Sequence, residues 1–252
     1  MRYIFKLMFV LCLVKGTVAA ELTGMEIIRT ANDVFNQDQA QGMFELTINT
    51  TTGQQRTFVY ESFSKNRGEK SLIRYLEPAR VKGQATLMLN NADDIWVYFP
   101  RTQRVRKLAT HAKKQKMEGS NFAYEDLGSG ESFLTDFIHQ RLPDAEYDGV
   151  DCYRVELTVK PGKTSSYSRM IMLIGKKDFM MRTVDYYDEK DPKTVVKRLT
   201  IQEIKDIQGV PTPMRMIMKS LDDNSESVMA IVEINYRINL PDEMFTERGL
   251  RE

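Results

Sequence analysis

Gly83-Gln-Ala-Thr-Leu-Met-Leu-Asn-Asn-Ala-Asp-Asp-Ile-Trp-Val-Tyr-Phe-Pro100 reads as two apolar strands, Ala85 to Leu89 and Ile95 to Phe99, meeting at a polar turn. Asn and Asp tolerate left-handed backbone and bond their own main chain, so Asn90-Asn-Ala-Asp-Asp94 reverses the chain without catalytic purpose. In the second strand, Trp96 and Tyr98 project one way while Ile95, Val97 and Phe99 project the other. A strand apolar on both faces must be covered on both sides. One reading makes it a central strand beneath a helix. The other places Trp96 and Tyr98 at a cavity mouth, where an apolar ring with a polar tip suits a wet boundary.

Outward from this hairpin the same pattern recurs. Phe44, Leu46 and Ile48 alternate with Glu45, Thr47 and Asn49, and runs follow at Thr57 to Ser62, Ser71 to Leu76 and Val105 to Leu108. Beyond an interruption come Cys152 to Val159, Ser166 to Ile174, Met180 to Tyr187, Val195 to Ile207, Met214 to Ser220 and Ser227 to Tyr236. Turns rich in Gly, Asn, Asp and Pro separate most of them, which predicts consecutive hairpins of about 11–12 antiparallel strands. No strand–helix alternation supports a parallel sheet.

Two helices accompany the strands. Thr23-Gly-Met-Glu26 is a capping-box pattern, and Ile27, Ile28, Ala31, Val34 and Phe35 follow at helical spacing. Phe133, Leu134, Phe137 and Ile138 fit one helical face between Gly130 and Pro143, inside the interruption at Gly119 to Pro143. The expected architecture is mostly β, a strongly curved sheet with helices plugging its open side, forming one domain over residues 21–252.

Met1 to Ala20 reads as a secretory signal: Arg2 and Lys6 precede the short apolar core Leu7 to Val14, and Val18-Ala-Ala20 supplies small residues for cleavage. Cys12 follows Leu11 rather than a small residue, which suits lipid attachment poorly. Removal of Arg2, Lys6 and Lys15 with the signal lowers the formal charge from +1 to −2. Such a balance offers no global field for nucleic acid. Cys152 is then a lone thiol without an internal bridge, expected to be a partly exposed structural residue rather than a nucleophile.

Enzyme signatures are missing. His111 and His139 are the two histidines, and neither has a neighbouring Cys or His at metal-ligand spacing. No Gly-x-Ser-x-Gly or phosphate-cradling loop occurs, and Gly128-Ser-Gly130 reads as a loop leading into a helix. The paired acids Asp93-Asp94 and Asp222-Asp223 sit at turns, where backbone bonding explains them. No catalytic residue, cofactor or metal site is expected.

Methionine is abundant, with fifteen in the chain. Met214, Met216 and Met218 share one strand face, as do Met170 and Met172, and Met180-Met181 follows closely. Three readings stand: ordinary core packing, a wall for acyl chains, and thioether ligands for Cu(I) in a copper carrier. Arg101, Arg104, Arg106, Lys107, Lys113, Lys114 and Lys116 form a basic run without an acid. It is either a solvated hairpin face or a docking patch for an acidic partner or anionic lipid head groups. It lacks the interleaved aromatics of single-strand nucleic-acid binders.

Leu76-Glu-Pro78, Gly83, Asp94-Ile-Trp-Val-Tyr-Phe-Pro100, Arg104-Val-Arg106 and Gly119-Ser-Asn-Phe-Ala-Tyr-Glu-Asp-Leu127 together resemble the LolA-like outer-membrane lipoprotein-sorting proteins. Tyr186-Tyr-Asp188, Gly209-Val-Pro-Thr-Pro-Met214 and Phe245 extend the resemblance through most of the chain. It implies a half-open antiparallel β-barrel with helices covering the open side. It also implies a periplasmic, non-enzymatic carrier of lipoprotein or other lipid acyl chains, working with an RND-type inner-membrane transporter and touching membrane surfaces transiently. Strand parity then nominates Phe44, Leu46, Leu87, Leu89, Trp96, Tyr98, Met170, Met172, Met214, Met216 and Met218 as the lining. A Met-based copper carrier and a non-binding adaptor of an envelope transporter are the alternatives.

Overall fold

The computed structural model describes residues 21–127, 130–188 and 191–252. The expected signal segment, Gly128-Ser129 and the side chain of His111 lie outside the described residues. The helix α1 (Gly24–Phe35) opens the described chain with the anticipated capping box: Thr23 Oγ1 accepts from the Glu26 N–H at 3.3 Å, and the Glu26 carboxylate accepts from the Thr23 N–H at 2.8 Å. Ile27, Ile28 and Ala31 form its buried stripe.

The rest is one antiparallel sheet built as two meanders. The first comprises β1 (Gln39–Asn49), β2 (Gln55–Lys65), β3 (Lys70–Glu77), β4 (Ala85–Leu89), β5 (Asp94–Phe99) and β6 (Arg104–Lys107). The second comprises β7 (Phe137–Tyr147), β8 (Val150–Val159), β9 (Tyr167–Gly175), β10 (Met181–Asp188), β11 (Val195–Ile207), β12 (Val210–Ser220) and β13 (Glu226–Asn235). Strands β1 and β13 join the meanders, and the order runs from β6 at one edge to β7 at the other. These two edges are not hydrogen-bonded to each other, so the barrel stays half open. Chain between them, with α2 (Tyr124–Leu127) and α3 (Glu131–Thr135), crosses the concave side.

The sheet has 13 strands rather than about 11–12, because β7 forms where the spacing of Phe133, Leu134, Phe137 and Ile138 predicts a helix. Phe133 and Leu134 do lie in α3, but Phe137 and Ile138 begin a strand. Helical spacing in four apolar residues was coincidental there, and edge placement accommodates Pro143, whose missing N–H interrupts the ladder between Leu142 and Ala145. The Asn90 turn is as expected: Asn90, Asn91 and Ala92 adopt φ of 53°, 60° and 67°. Asp223 accepts the Ser225 N–H at 2.9 Å, whereas Asp93 and Asp94 pair with Lys113 and Lys107, each at 2.6 Å.

Two apolar clusters flank the sheet. The larger lies on the concave side and includes Leu46, Phe58, Tyr75, Leu157 and Met170. The smaller lies outside β2–β6, where Phe63, Leu72, Ala85 and Leu87 are covered by Leu240, Phe245 and Leu250 of the C-terminal segment. The hairpin strand β5 is therefore covered on both faces, as its composition requires. Cys152 is fully buried rather than partly exposed, with its thiol donating to the Val150 carbonyl at 3.3 Å. Burial raises its pKa, which further suppresses thiolate chemistry.

Candidate functional site

The concave face is not solidly filled. A cavity of about 250 Å³ lies between the sheet and the covering segments. That is slightly below the range of roughly 300–1,000 Å³ typical of small-molecule sites. Ile28, Ala31 and Phe35 of α1 line it from above, joined by Phe122, Leu127 and Phe133 of the crossing segment. Tyr60, Ile73 and Met88 come from the first meander, and Met172, Met181, Val184, Leu199, Met216, Met218, Met229 and Ile231 from the second. Phe44 and Tyr60, opposite one another in the β1–β2 ladder, stack with ring centroids 5.5 Å apart.

Of the sequence-nominated lining, Phe44, Met172, Met216 and Met218 border this cavity. Leu46 and Met170 are in the concave core away from it. Leu87, Leu89, Trp96 and Tyr98 lie on the opposite face, against the C-terminal segment. In strands apolar on both faces, parity groups side chains correctly but cannot say which group points inward. Their neighbours Met88 and Ile95 face the concave side instead.

Met214 also departs from simple alternation. Pro213 and Met216 both border the cavity, so the two-residue period breaks between them. Glu203, in the β11 gap facing Met214, has a φ of 53°, and β12 pairs with β13 only from Arg215 onward. Met229 was missed although it sits directly opposite Met216. Its signal was available in the Ser227 to Tyr236 run.

The crossing segment is held by polar contacts that explain its motif. Asn121 donates its backbone N–H to Ser227 Oγ at 3.0 Å and accepts from Ser225 Oγ at 3.1 Å. The Asp126 carboxylate, with its side chain only 4% exposed, receives Lys197 Nζ at 2.7 Å, the Ala123 N–H at 2.7 Å and the Tyr167 hydroxyl at 3.0 Å. Lys197 Nζ lies 4.6 Å and 4.9 Å from the Tyr167 and Tyr186 ring centroids. Burial holds both tyrosines well above the ordinary phenol pKa. The enclosed ion pair ties the crossing segment to the second meander in this closed arrangement. Gly130 approaches α1 so closely that an added Cβ would fall 1.6 Å from Asn32 Oδ1.

The basic run divides. Lys107 and Lys113 are engaged by Asp94 and Asp93, and Lys107 Nζ also lies 4.7 Å from the Trp96 ring. Arg101, Arg104, Arg106, Lys114 and Lys116 are exposed. Arg104 and Arg106 lie on the edge strand β6, where cations discourage strand addition. His139, on β7, meets the Phe133 carbonyl at 2.6 Å, and burial lowers its pKa. No group of three or more His, Cys, Asp or Glu side chains able to hold a metal occurs among the described residues.

A family model described as "uncharacterized protein" matches residues 67–252. A DUF1329 family protein from Desulfovibrio piger is similar in structure, with a TM-score of 0.83 and 27% identity over 90% of this chain and 97% of its own. A LolA superfamily protein from Nitrosomonas europaea gives 0.76 and 25%, covering 91% of this chain and 100% of its own. A protein described as an outer-membrane lipoprotein-sorting domain, from Vibrio parahaemolyticus, gives 0.82 and 23%, covering 91% and 98%. No curated relative matches the chain.

Proposed function

We propose that this chain, which belongs to the LolA-like family of outer-membrane lipoprotein-sorting proteins, is a periplasmic carrier without catalytic activity of its own. It binds the acyl chains of lipoproteins or other lipids and delivers them toward the outer membrane. The observation that carries the proposal is the partly vacant apolar cavity between the half-open sheet and its cover. Burying a methylene contributes about 0.8 kcal/mol, so a chain of ~16 carbons gains around a dozen if fully enclosed. The space present is small for that, so full enclosure requires α1 or the 119–135 segment to move outward. The same movement permits release.

Methionine suits such a wall because its flexible thioether adapts to variable apolar partners. An RND-type inner-membrane transporter is the proposed donor, and the exposed Arg101, Arg104 and Arg106 are the proposed docking patch. Reversing those three charges should abolish co-purification with the transporter while leaving lipid affinity intact. Retained co-purification would remove the patch from the account.

The binding reading is tested by displacement of a polarity-sensitive fluorescent fatty acid. Wild-type protein should bind it and release it to palmitoyl lipids. Ile73→Trp, which places an indole in the cavity, should fold normally and bind at least about tenfold more weakly. Unchanged binding by that variant would place the lipid elsewhere and overturn the assignment.

A further inference from the structure

A second compartment lies beside the apolar cavity, and its chemistry is different. It measures about 180 Å³ and lies among Asn91, Asp93 and Lys113 near the first meander and Asp136, Lys163 and Ser165 near the second. Asp126, Phe133 and Tyr186 border both spaces, so the two share a wall. A greasy volume adjoining a polar one matches the two ends of an amphiphile.

The charges within it are unevenly satisfied. Asp93 is paired with Lys113 at 2.6 Å, Asp136 with Lys163 at 2.7 Å and Asp126 with Lys197 at 2.7 Å. Glu125 also borders the compartment, yet it accepts hydrogen bonds from neutral groups, Ser165 Oγ and the Ser166 N–H, each at 3.1 Å. It takes part in none of the ion pairs found among the described residues. Burial raises its pKa and the neighbouring Asp126 adds repulsion, a cost that a bound cation relieves.

Resting on the carrier reading, we infer that this compartment receives the polar head of the cargo, and that the preferred head bears a primary amine whose ammonium meets Glu125. An ammonium supplies the charge-assisted hydrogen bond that the serines do not. A purely anionic head would gain nothing from Glu125, and the two lysines that border the space, Lys113 and Lys163, are already held by Asp93 and Asp136.

Calorimetric titration of the full chain with three palmitoyl probes tests this: lysophosphatidylethanolamine, lysophosphatidylglycerol and monopalmitoylglycerol. Wild-type protein should bind the ethanolamine lipid at least about tenfold more tightly than the glycerol phospholipid. Glu125→Gln should equalise the two while leaving monopalmitoylglycerol unchanged. Equal wild-type affinities for the two lysolipids would overturn the inference and leave the carrier reading standing. Failure of all three to bind would overturn both. Since the wild-type comparison decides the head-group preference, misfolding of the variant does not shield it.

Discussion

Asp126 and Lys197 form a buried ion pair that closes the crossing segment onto the second meander. Removing one partner of such a pair leaves an uncompensated charge, so Asp126→Ala should cost about 3–5 kcal/mol in urea unfolding. Asp126→Leu combined with Lys197→Met should recover most of that loss, and additive costs would show the pair to be energetically unimportant. Acidic groups give a second expectation. Glu118 and Glu125 have pKa values raised by burial, so they bind protons more readily folded than unfolded. Asp94, bonded by Lys107, is lowered, and Asp223, bonded by Ser225, is held down to about 2. As pH falls from 7, Glu118 and Glu125 should therefore contribute a modest rise in stability, opposed by His139, whose pKa burial lowers, and stability should fall below about pH 4 as the depressed carboxylates protonate. Replacing Glu118 and Glu125 with Gln should flatten the rise. For the methionines, Leu at Met172, Met216 and Met218 should change palmitoyl-lipid affinity less than about threefold, because the wall stays apolar. Loss of stoichiometric Cu(I) from that variant would favour the copper carrier instead. The Asp126–Lys197 pairing was not legible in the sequence: the two residues lie 71 positions apart and meet only when the crossing segment packs on the sheet.

Among the elements, the C-terminal segment decides the orientation of the hairpin that first suggested this fold. Leu240, Phe245 and Leu250 cover the outer face carrying Leu87 and Trp96, so the opposite faces of β4 and β5 point inward. Alternation disclosed both strands and both faces; it could not disclose a cover made from residues more than a hundred positions away. Phe245→Ala should destabilise by about 3–5 kcal/mol, as for a buried aromatic, without changing affinity for a palmitoyl lipid. An equal loss of affinity at temperatures where the variant is fully folded would contradict the separation of the two clusters. The helix α1 was readable because its cap and its apolar stripe agree, whereas β7 was not. An edge strand containing proline, entered directly from a short helix, carries a mixed periodicity.

Taken together, the two meanders form a curved surface joined at β1 and β13 and left unpaired at β6 and β7. Consecutive hairpins made that antiparallel order readable, while the cavity depends on how several distant segments fail to fill the concavity. Packing to the usual interior density would have erased it. A carrier needs that vacancy together with a cover able to yield, and the Gly130–Asn32 approach puts α1 and the crossing segment in mutual contact. Native mass spectrometry of the protein isolated from the periplasm without detergent tests this most directly. The predicted result is a population bearing non-covalent adducts with acyl-lipid masses, strongly diminished in Ile73→Trp. Adduct-free wild-type protein that also takes up no added palmitoyl lipid would contradict the account.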